Sequence, residues 1–234
     1  MSSIIQYEDV FLQDFSQASV YVDACFILAY MDSTDPRGDN VSLILEKWKS
    51  DGIKQIGISN HVIAEVLHNL FKQEVLLALE IYHKKIVSKN KKQLIFDSEI
   101  LEEGASFLYS ICKKNIPHFY KKGFNINVSE LIKDAKRFES QRHKLQPFYN
   151  NALTRYNEFI AGIQKEFKIE FLNSNEEIQE LSKAYMRLFQ LESYDAFHYA
   201  VAQYYQYTYF ATLDGDFVHD LYNNQALTII LKIA

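Results

Sequence analysis

The sequence predicts an α/β fold with a central parallel sheet and crossover helices. Short apolar runs without polar alternation recur along the chain, as expected of strands that are buried on both faces. Segments of helical periodicity separate these runs, and such alternation is typical of parallel sheets. Glycine (7) and proline (3) are scarce among the 234 residues, which disfavours a turn-rich β-sandwich.

The predicted strands are continuous apolar runs, the first of which ends at Asp23. They lie at residues 20–22, 53–58, 169–172, 207–212 and 227–231. The predicted helices have apolar residues at spacings of three and four. They cover residues 41–50, 61–81, 193–203 and a segment starting at 176. Ser59 and Ser174 precede two of these helices and are expected to cap them through their hydroxyl groups.

Composition is ordinary for a globular chain of 27.4 kDa, and we expect one domain over residues 1–234 that carries an insertion. No apolar stretch reaches the roughly 18 residues of a membrane span, and no secretory signal begins the chain, so we expect a cytoplasmic protein without a membrane partner. Cys25 and Cys112 have neither zinc-site nor disulfide spacing.

The expected insertion, residues 86–166, is a basic helical region. Residues 84–146 hold 14 Lys and Arg against 7 Asp and Glu, although the whole chain has a net charge of −5. Such asymmetry is typical of a nucleic-acid contact surface, while solvated amphipathic helices are the alternative explanation. Lysine and arginine would supply affinity for phosphate here. The candidate contacts are Lys84, Lys85, Lys91, Lys92, Lys113, Lys114, Lys121, Lys122, Arg137 and Arg142.

Four carboxylates stand at the edges of apolar segments. Asp23 and Asp214 follow predicted strands, while Glu65 and Asp195 lie in the first two turns of predicted helices. Ligands of an open parallel sheet bind beyond the carboxyl ends of its strands, so these acids can converge there. Asp23 is the hardest to explain structurally, because a carboxylate at the end of a buried strand needs a partner.

These pieces resemble the PIN domain family of metal-dependent nucleases, in particular VapC-type toxins. The matching segments occur in the order of the family at residues 20–24, 58–66, 195–202 and 210–217. The resemblance covers about residues 18–85 and 167–234. It implies a three-layer α/β/α fold and an acidic pocket that holds one or two Mg2+ or Mn2+ ions.

The resemblance and the chemistry of oxygen ligands together suggest roles for the acids. Asp23, Asp195 and Asp214 would coordinate metal directly or through water, with Asp216 as an auxiliary acid. Glu65 would position or deprotonate the attacking water. Ser59 and Thr212 would support the ligands by hydrogen bonds. Cys25 departs from the family, which commonly has a small hydroxyl residue there, so we expect weaker support for Asp23.

These features predict a metal-dependent endoribonuclease, with RNA as substrate. If the protein is a toxin, the resemblance implies a small protein antitoxin and a homodimer. A PIN-like module that binds nucleic acid or protein without cutting is the alternative, and DNA cleavage also stays open. Three Asp/Glu-x-x-His pairs have the spacing of ligands in di-iron helix bundles. Such a bundle needs long facing helices, and the strands predicted around Asp23 and Asp214 contradict that architecture.

Overall fold

The computed structural model describes residues 4–87, 96, 98–112, 126–219, 221 and 228–233. Within these residues, six strands form one sheet, and every neighbouring pair in it is parallel. The strands are β1 (Ile4–Ile5), β2 (Ser19–Val22), β3 (Gln55–Ser59), β4 (Ile169–Leu172), β5 (Tyr209–Thr212) and β6 (Ile229–Lys232). The predicted α/β fold with a central parallel sheet is confirmed.

The strand order is β1-β6-β5-β2-β3-β4, so the direction in which the sheet grows reverses next to β2. The chain first adds β3 and β4 on one side of β2, and it then returns to add β5 and β6 on the other side. The reversal point between β2 and β5 is where parallel sheets form ligand crevices, beyond the carboxyl ends of the strands.

Helices connect the strands. They are α1 (Tyr7–Val10), α2 (Ala24–Met31), α3 (Gly38–Asp51), α4 (Asn60–Val87), α5 (Glu99–Cys112), α6 (Val128–Ala135), α7 (Gln146–Ile163), α8 (Glu176–Leu188) and α9 (Ser193–Tyr204). Among the described residues, 3-10 helices span Glu139–Leu145 and Gly215–Phe217. No helix in the described part of the chain is long and apolar enough to cross a membrane.

Helices cover both faces of the sheet, which makes the fold three-layered. Val22 faces Phe26 of α2 and Phe159 near the end of α7. Tyr21 points to the opposite face because strand side chains alternate. There it contacts Phe210 of β5 and His198 of α9. With apolar helices on both faces, the strands need no polar alternation, as the sequence predicted.

The described chain divides into two compact units. Unit 1 comprises residues 1–66 and 158–234, and it contains the whole sheet. Unit 2 comprises residues 67–157 and consists of helices in its described part. The boundaries fall within α4 and α7. The insertion that we delimited at residues 86–166 stays a prediction.

Unit 2 is held together by close packing and by one buried acid. Phe71 and Tyr149 stack with their ring centroids 4.0 Å apart. Glu74, which is 8% exposed, accepts hydrogen bonds from Arg155 at 2.8 Å and from Asn151 at 3.2 Å. Such pairing is what allows a carboxylate to be buried among helices.

Some boundaries differ from the predicted ones. The predicted cap Ser174 is wrong, because Asn175 caps α8 by accepting a hydrogen bond from the Ile178 amide at 2.9 Å. The predicted strand at 207–212 begins only at Tyr209, after Gln206 has turned the chain with a φ of 56°. The edge strand β1 was missed, since two residues are too few to show a pattern.

Candidate active site

The carboxyl ends of β2, β3, β5 and β6 lie at one edge of unit 1, because all four strands are parallel. Asp23 follows β2, Ser59 ends β3, and Thr212 ends β5 two residues before Asp214. The sheet therefore brings side chains from three strands to the reversal point between β2 and β5.

Asp23 is buried, with 4% of its surface exposed, and it is the N-cap of α2. Its Oδ1 accepts a hydrogen bond from the Phe26 amide at 2.9 Å. Burial raises the pKa of the Asp23 carboxyl, while hydrogen bonds from Cys25, Thr212 and the Phe26 amide oppose that rise. Burial disfavours the ionised form of this acid, and a nearby cation would stabilise that form.

The Cys25 thiol supports Asp23 in the place of the expected hydroxyl. Its Sγ donates to both carboxylate oxygens of Asp23, each at 2.9 Å, and lies 3.7 Å from the Thr212 hydroxyl. We expected weaker support from a thiol, and the structure shows that contact with the carboxylate is kept. The amide of Leu213 donates to the same sulfur at 3.3 Å.

The Asp214 segment is shaped by short hydrogen bonds after β5. The buried Thr212 hydroxyl accepts from the Asp214 amide at 2.9 Å, and Asp214 Oδ1 accepts from the Asp216 amide at 2.9 Å. Asp214 thereby caps the 3-10 helix Gly215–Phe217, while Asp216 is exposed to solvent.

Asp195 shows that the acids share one electrostatic environment. Its carboxyl is half-buried in the first turn of α9, and its pKa is raised from 3.8 to about 6. Burial is the largest cause, followed by repulsion from Asp214, and Asp216 and Asp23 add to it. Three other predicted site residues therefore lie close enough to Asp195 to affect its carboxyl.

Glu65 joins this site through a buried chain of hydrogen bonds. His198, which is 3% exposed, places Nε2 at 3.2 Å from Glu65 Oε2 and Nδ1 at 3.1 Å from the Tyr21 hydroxyl. The Tyr21 hydroxyl lies 2.8 Å from the Ser59 hydroxyl. The Ser59 hydroxyl also accepts a hydrogen bond from the Val62 amide at 3.3 Å, and Ser59 thereby caps α4 as predicted. The four side chains of this network, those of Glu65, His198, Tyr21 and Ser59, lie on four different elements.

The sequence does not mark Tyr21 and His198 as site residues. His198 is buried, and its ring nitrogens contact the Tyr21 hydroxyl and the Glu65 carboxylate. The signal was the spacing of Asp195 and His198, which places both on one face of a helical turn. Tyr21 carried no signal, because tyrosine is common in strands.

The donor set fits a hard divalent cation. All candidate ligands are carboxylates, and their mutual repulsion would be relieved by positive charge. Among the described residues, no three His, Cys, Asp or Glu side chains lie close enough together to hold a metal ion directly.

The predicted phosphate contacts divide into three groups. Lys84 pairs with Glu80, Lys85 pairs with Glu102, and Arg137 pairs with Asp134. Arg142 is exposed and makes no ion pair within the described residues. The remaining candidates lie outside the described residues: Lys91, Lys92, Lys113, Lys114, Lys121 and Lys122.

Arg142 lines a groove of about 540 Å³ in unit 2. Lys136 and His143 line it as well, and none of its described lining residues is acidic. The Lys136 ammonium lies 5.9 Å from the centre of the Tyr149 ring. Basic residues that share a groove without acidic partners repel one another, so the groove favours an anion.

Comparison with known proteins gives one family match. A family model described as the PIN domain matches residues 125–219. This stretch includes Asp195, Asp214 and Asp216, and it leaves out Asp23 and Glu65. No curated protein and no solved structure matches the chain significantly. The parallel sheet of the described residues shows an α/β fold, and the match makes it similar to that of PIN domains, which are generally nucleases.

Proposed function

We propose that the protein is a metal-dependent endoribonuclease whose site is the acidic edge of unit 1. The observation that carries this proposal is the shared environment of the acids. Asp195 has its pKa raised to about 6 partly by Asp214, Asp216 and Asp23, although these residues come from three parts of the chain. Acids with a purely structural role are rarely grouped so closely that they raise the pKa of a neighbour. A nuclease needs grouped acids to bind cations.

Asp23, Asp195 and Asp214 would hold Mg2+ or Mn2+, with Asp216 assisting from the rim. When bound, the metal would lower the pKa of a water and neutralise charge on the leaving oxygen. Cys25 and Thr212 orient Asp23 and the Asp214 segment by the hydrogen bonds described above. Such supporting contacts fix the direction in which a ligand presents its oxygens.

Glu65 would orient or deprotonate the attacking water. Its carboxylate is partly exposed, at 41% of the side chain, and one of its oxygens is oriented by His198. A carboxylate that is both oriented and reachable by solvent suits this role. Tyr21 in turn holds the other nitrogen of the imidazole, so the direction of Glu65 depends on the core of the sheet.

RNA would be the substrate, and the groove of unit 2 around Lys136 and Arg142 would contact its phosphates. Support comes from the absence of acidic residues among the described lining of the groove. A toxin role, a protein antitoxin that masks the acidic edge and a homodimer extend the proposal from the resemblance to VapC-type toxins.

The test is cleavage of a labelled structured RNA and a matched single-stranded DNA with Mn2+, Mg2+ or EDTA. The variant Asp23→Asn removes the charge, while its amide oxygen can still cap α2, so the fold should persist. We expect metal-dependent cutting of RNA that falls at least about 100-fold in this variant. Glu180→Gln, which changes an exposed acid of α8 paired with Lys183, is the matched control.

One observation favours a second candidate, a module that binds nucleic acid without cutting. The described residues contain no cluster of three metal-ligating side chains. Binding of RNA that persists in EDTA, combined with no cutting by the wild type in any metal, would support the module and contradict the nuclease.

A further inference from the structure

Lys232 lies beside the acidic edge of unit 1. It is the last residue of β6 and pairs with Thr212 in the register between β5 and β6. The carboxyl ends of parallel strands share one edge, so the Lys232 side chain starts next to the segment that carries Asp214. The residue is half-buried.

The Lys232 ammonium donates a hydrogen bond to the carbonyl of Leu213, with Nζ and the oxygen 2.6 Å apart. That carbonyl belongs to the peptide group between Leu213 and Asp214. Orientation of this peptide determines the direction in which the chain leaves β5, and therefore where the Asp214 carboxylate starts. The contact links the end of β6 to a candidate metal ligand.

Leu213 is held from its other side as well. Its amide donates to Cys25 Sγ at 3.3 Å, and the same thiol donates to Asp23. The amide and the carbonyl of one residue are thus engaged by two side chains from different elements. Cys25 ties Leu213 toward Asp23, and Lys232 fixes the peptide that leads to Asp214.

The charge of Lys232 also acts on the acids. Asp214 and Asp23 lie within its electrostatic reach, as does Arg37. Arg37 is committed to Asp35, with its Nη2 2.7 Å from Oδ2. Lys232 makes no ion pair within the described residues and directs its charged donor at a neutral carbonyl, a strong type of hydrogen bond.

We propose that Lys232 is a positioning residue of the candidate nuclease site. Its ammonium fixes the peptide between Leu213 and Asp214, so that the Asp214 carboxylate faces the same place as Asp23 and Asp195. This inference rests on the proposed function. Supporting contacts around metal ligands typically change metal affinity or activity by 10- to 100-fold when they are lost.

The test compares Lys232→Met, which keeps the length of the side chain but loses donor and charge, with Lys232→Arg, which keeps both. Lys54→Met is the matched control, because it removes the same charge from an exposed lysine just before the amino end of β3. Mn2+ binding is measured by titration calorimetry, and RNA cleavage is measured at saturating Mn2+ after melting curves show each variant folded.

We expect Lys232→Met to bind Mn2+ at least about 5-fold more weakly and to cut about 10-fold more slowly. The KM for RNA should stay unchanged, because the peptide acts on the metal ligands and not on substrate affinity. For Lys232→Arg, the Mn2+ affinity and the cleavage rate should stay within about 3-fold of the wild-type values. Lys54→Met should have the wild-type values of both. Restoration by arginine would not follow from a role in stability alone.

Unchanged or tighter Mn2+ binding in Lys232→Met would overturn the inference, since tighter binding would mean that the ammonium merely competes with the metal. The proposed function fails separately if the wild type binds Mn2+ but does not cut RNA. In that case, weaker binding in Lys232→Met would still support the positioning role. A wild type that neither binds Mn2+ nor cuts would overturn both.

Discussion

His198 Nε2 lies 3.2 Å from Glu65 Oε2, although 133 residues separate the two in the chain. Glu65 lies on α4 and His198 lies on α9, so the contact joins two helices that are far apart in the chain. His198 is 3% exposed and Glu65 is partly exposed, so the pair links the core to the site. A buried imidazole held by Tyr21 can therefore orient a carboxylate that faces solvent.

Replacing His198 should impair cutting more than folding. We expect His198→Gln to slow RNA cleavage about 10-fold or more, because Glu65 loses the orientation that the imidazole provides. Tyr21→Phe should slow it less, since it removes the support of His198 and leaves the contact with Glu65. Single-turnover cleavage of both variants, with melting curves as the folding control, checks this prediction. Wild-type rates in His198→Gln would contradict a role for the pair.

Neutralising Asp195 should stabilise the metal-free protein at alkaline pH. The pKa of the folded carboxyl is raised to about 6, so the folded state binds a proton that the unfolded state releases above 3.8. The stability that this group contributes is present below 3.8 and is lost as the pH rises toward 6. A shift of this size corresponds to ~3 kcal/mol at full burial, and solvent screening of the half-buried group reduces it to about 1 kcal/mol.

We therefore expect Asp195→Asn to melt about 2 to 4 °C higher than the wild type at pH 8 in EDTA. The difference should shrink at pH 5, where the wild-type carboxyl is largely protonated. Addition of Mn2+ should stabilise the wild type more than the variant, because ligand binding favours the folded state. Glu180→Gln serves as the control, and a lower melting temperature of Asp195→Asn at pH 8 would rule out the repulsion.

RNA affinity should depend on Arg142 and little on Arg137, although both are basic residues of the same region. Arg137 is neutralised by Asp134 at 2.8 Å, whereas Arg142 lines the groove that has no described acidic residue. We expect Arg142→Gln to lower the slope of log affinity against log salt by about 0.7, as for one lost phosphate contact to a single strand. Fluorescence anisotropy in the Asp23→Asn background measures this without cutting. Equal effects of Arg142→Gln and Arg137→Gln would exclude the groove as the contact.

Gly57 should tolerate no larger side chain. A Cβ at this position would lie 2.3 Å from Cζ of Tyr207, whose hydroxyl donates to Glu170 at 2.8 Å. Gly57→Ala would push the ring off β3, and we expect the free energy of unfolding to fall by about 1 to 3 kcal/mol. Urea unfolding measures the loss. Adding Tyr207→Leu should recover part of it, and a Gly57→Ala protein as stable as the wild type would refute the close contact.

The acids at strand ends could be predicted from the chain itself. Asp23 and Asp214 each follow an apolar run, and parallel strands end at one edge whichever way they are ordered. The Ser59 cap was equally predictable, because a hydroxyl before a helix acts through a local hydrogen bond. The predicted cap at Ser174 was wrong by one residue, because Asn175 caps the helix. Serine and asparagine are both good caps, and only the path of the backbone decides which of two neighbours takes the position.

What the sequence alone determined is therefore the α/β fold, the strands other than β1 and the acids that follow two of them, because all of these depend on local periodicity. The tertiary structure decided which side chains support the acids. Tyr21, His198 and Lys232 look like ordinary residues of a strand, a helix and a strand, and their contacts depend on the order of strands and the rotation of each helix. Such contacts join residues that are distant in the chain, and no short window of sequence contains them.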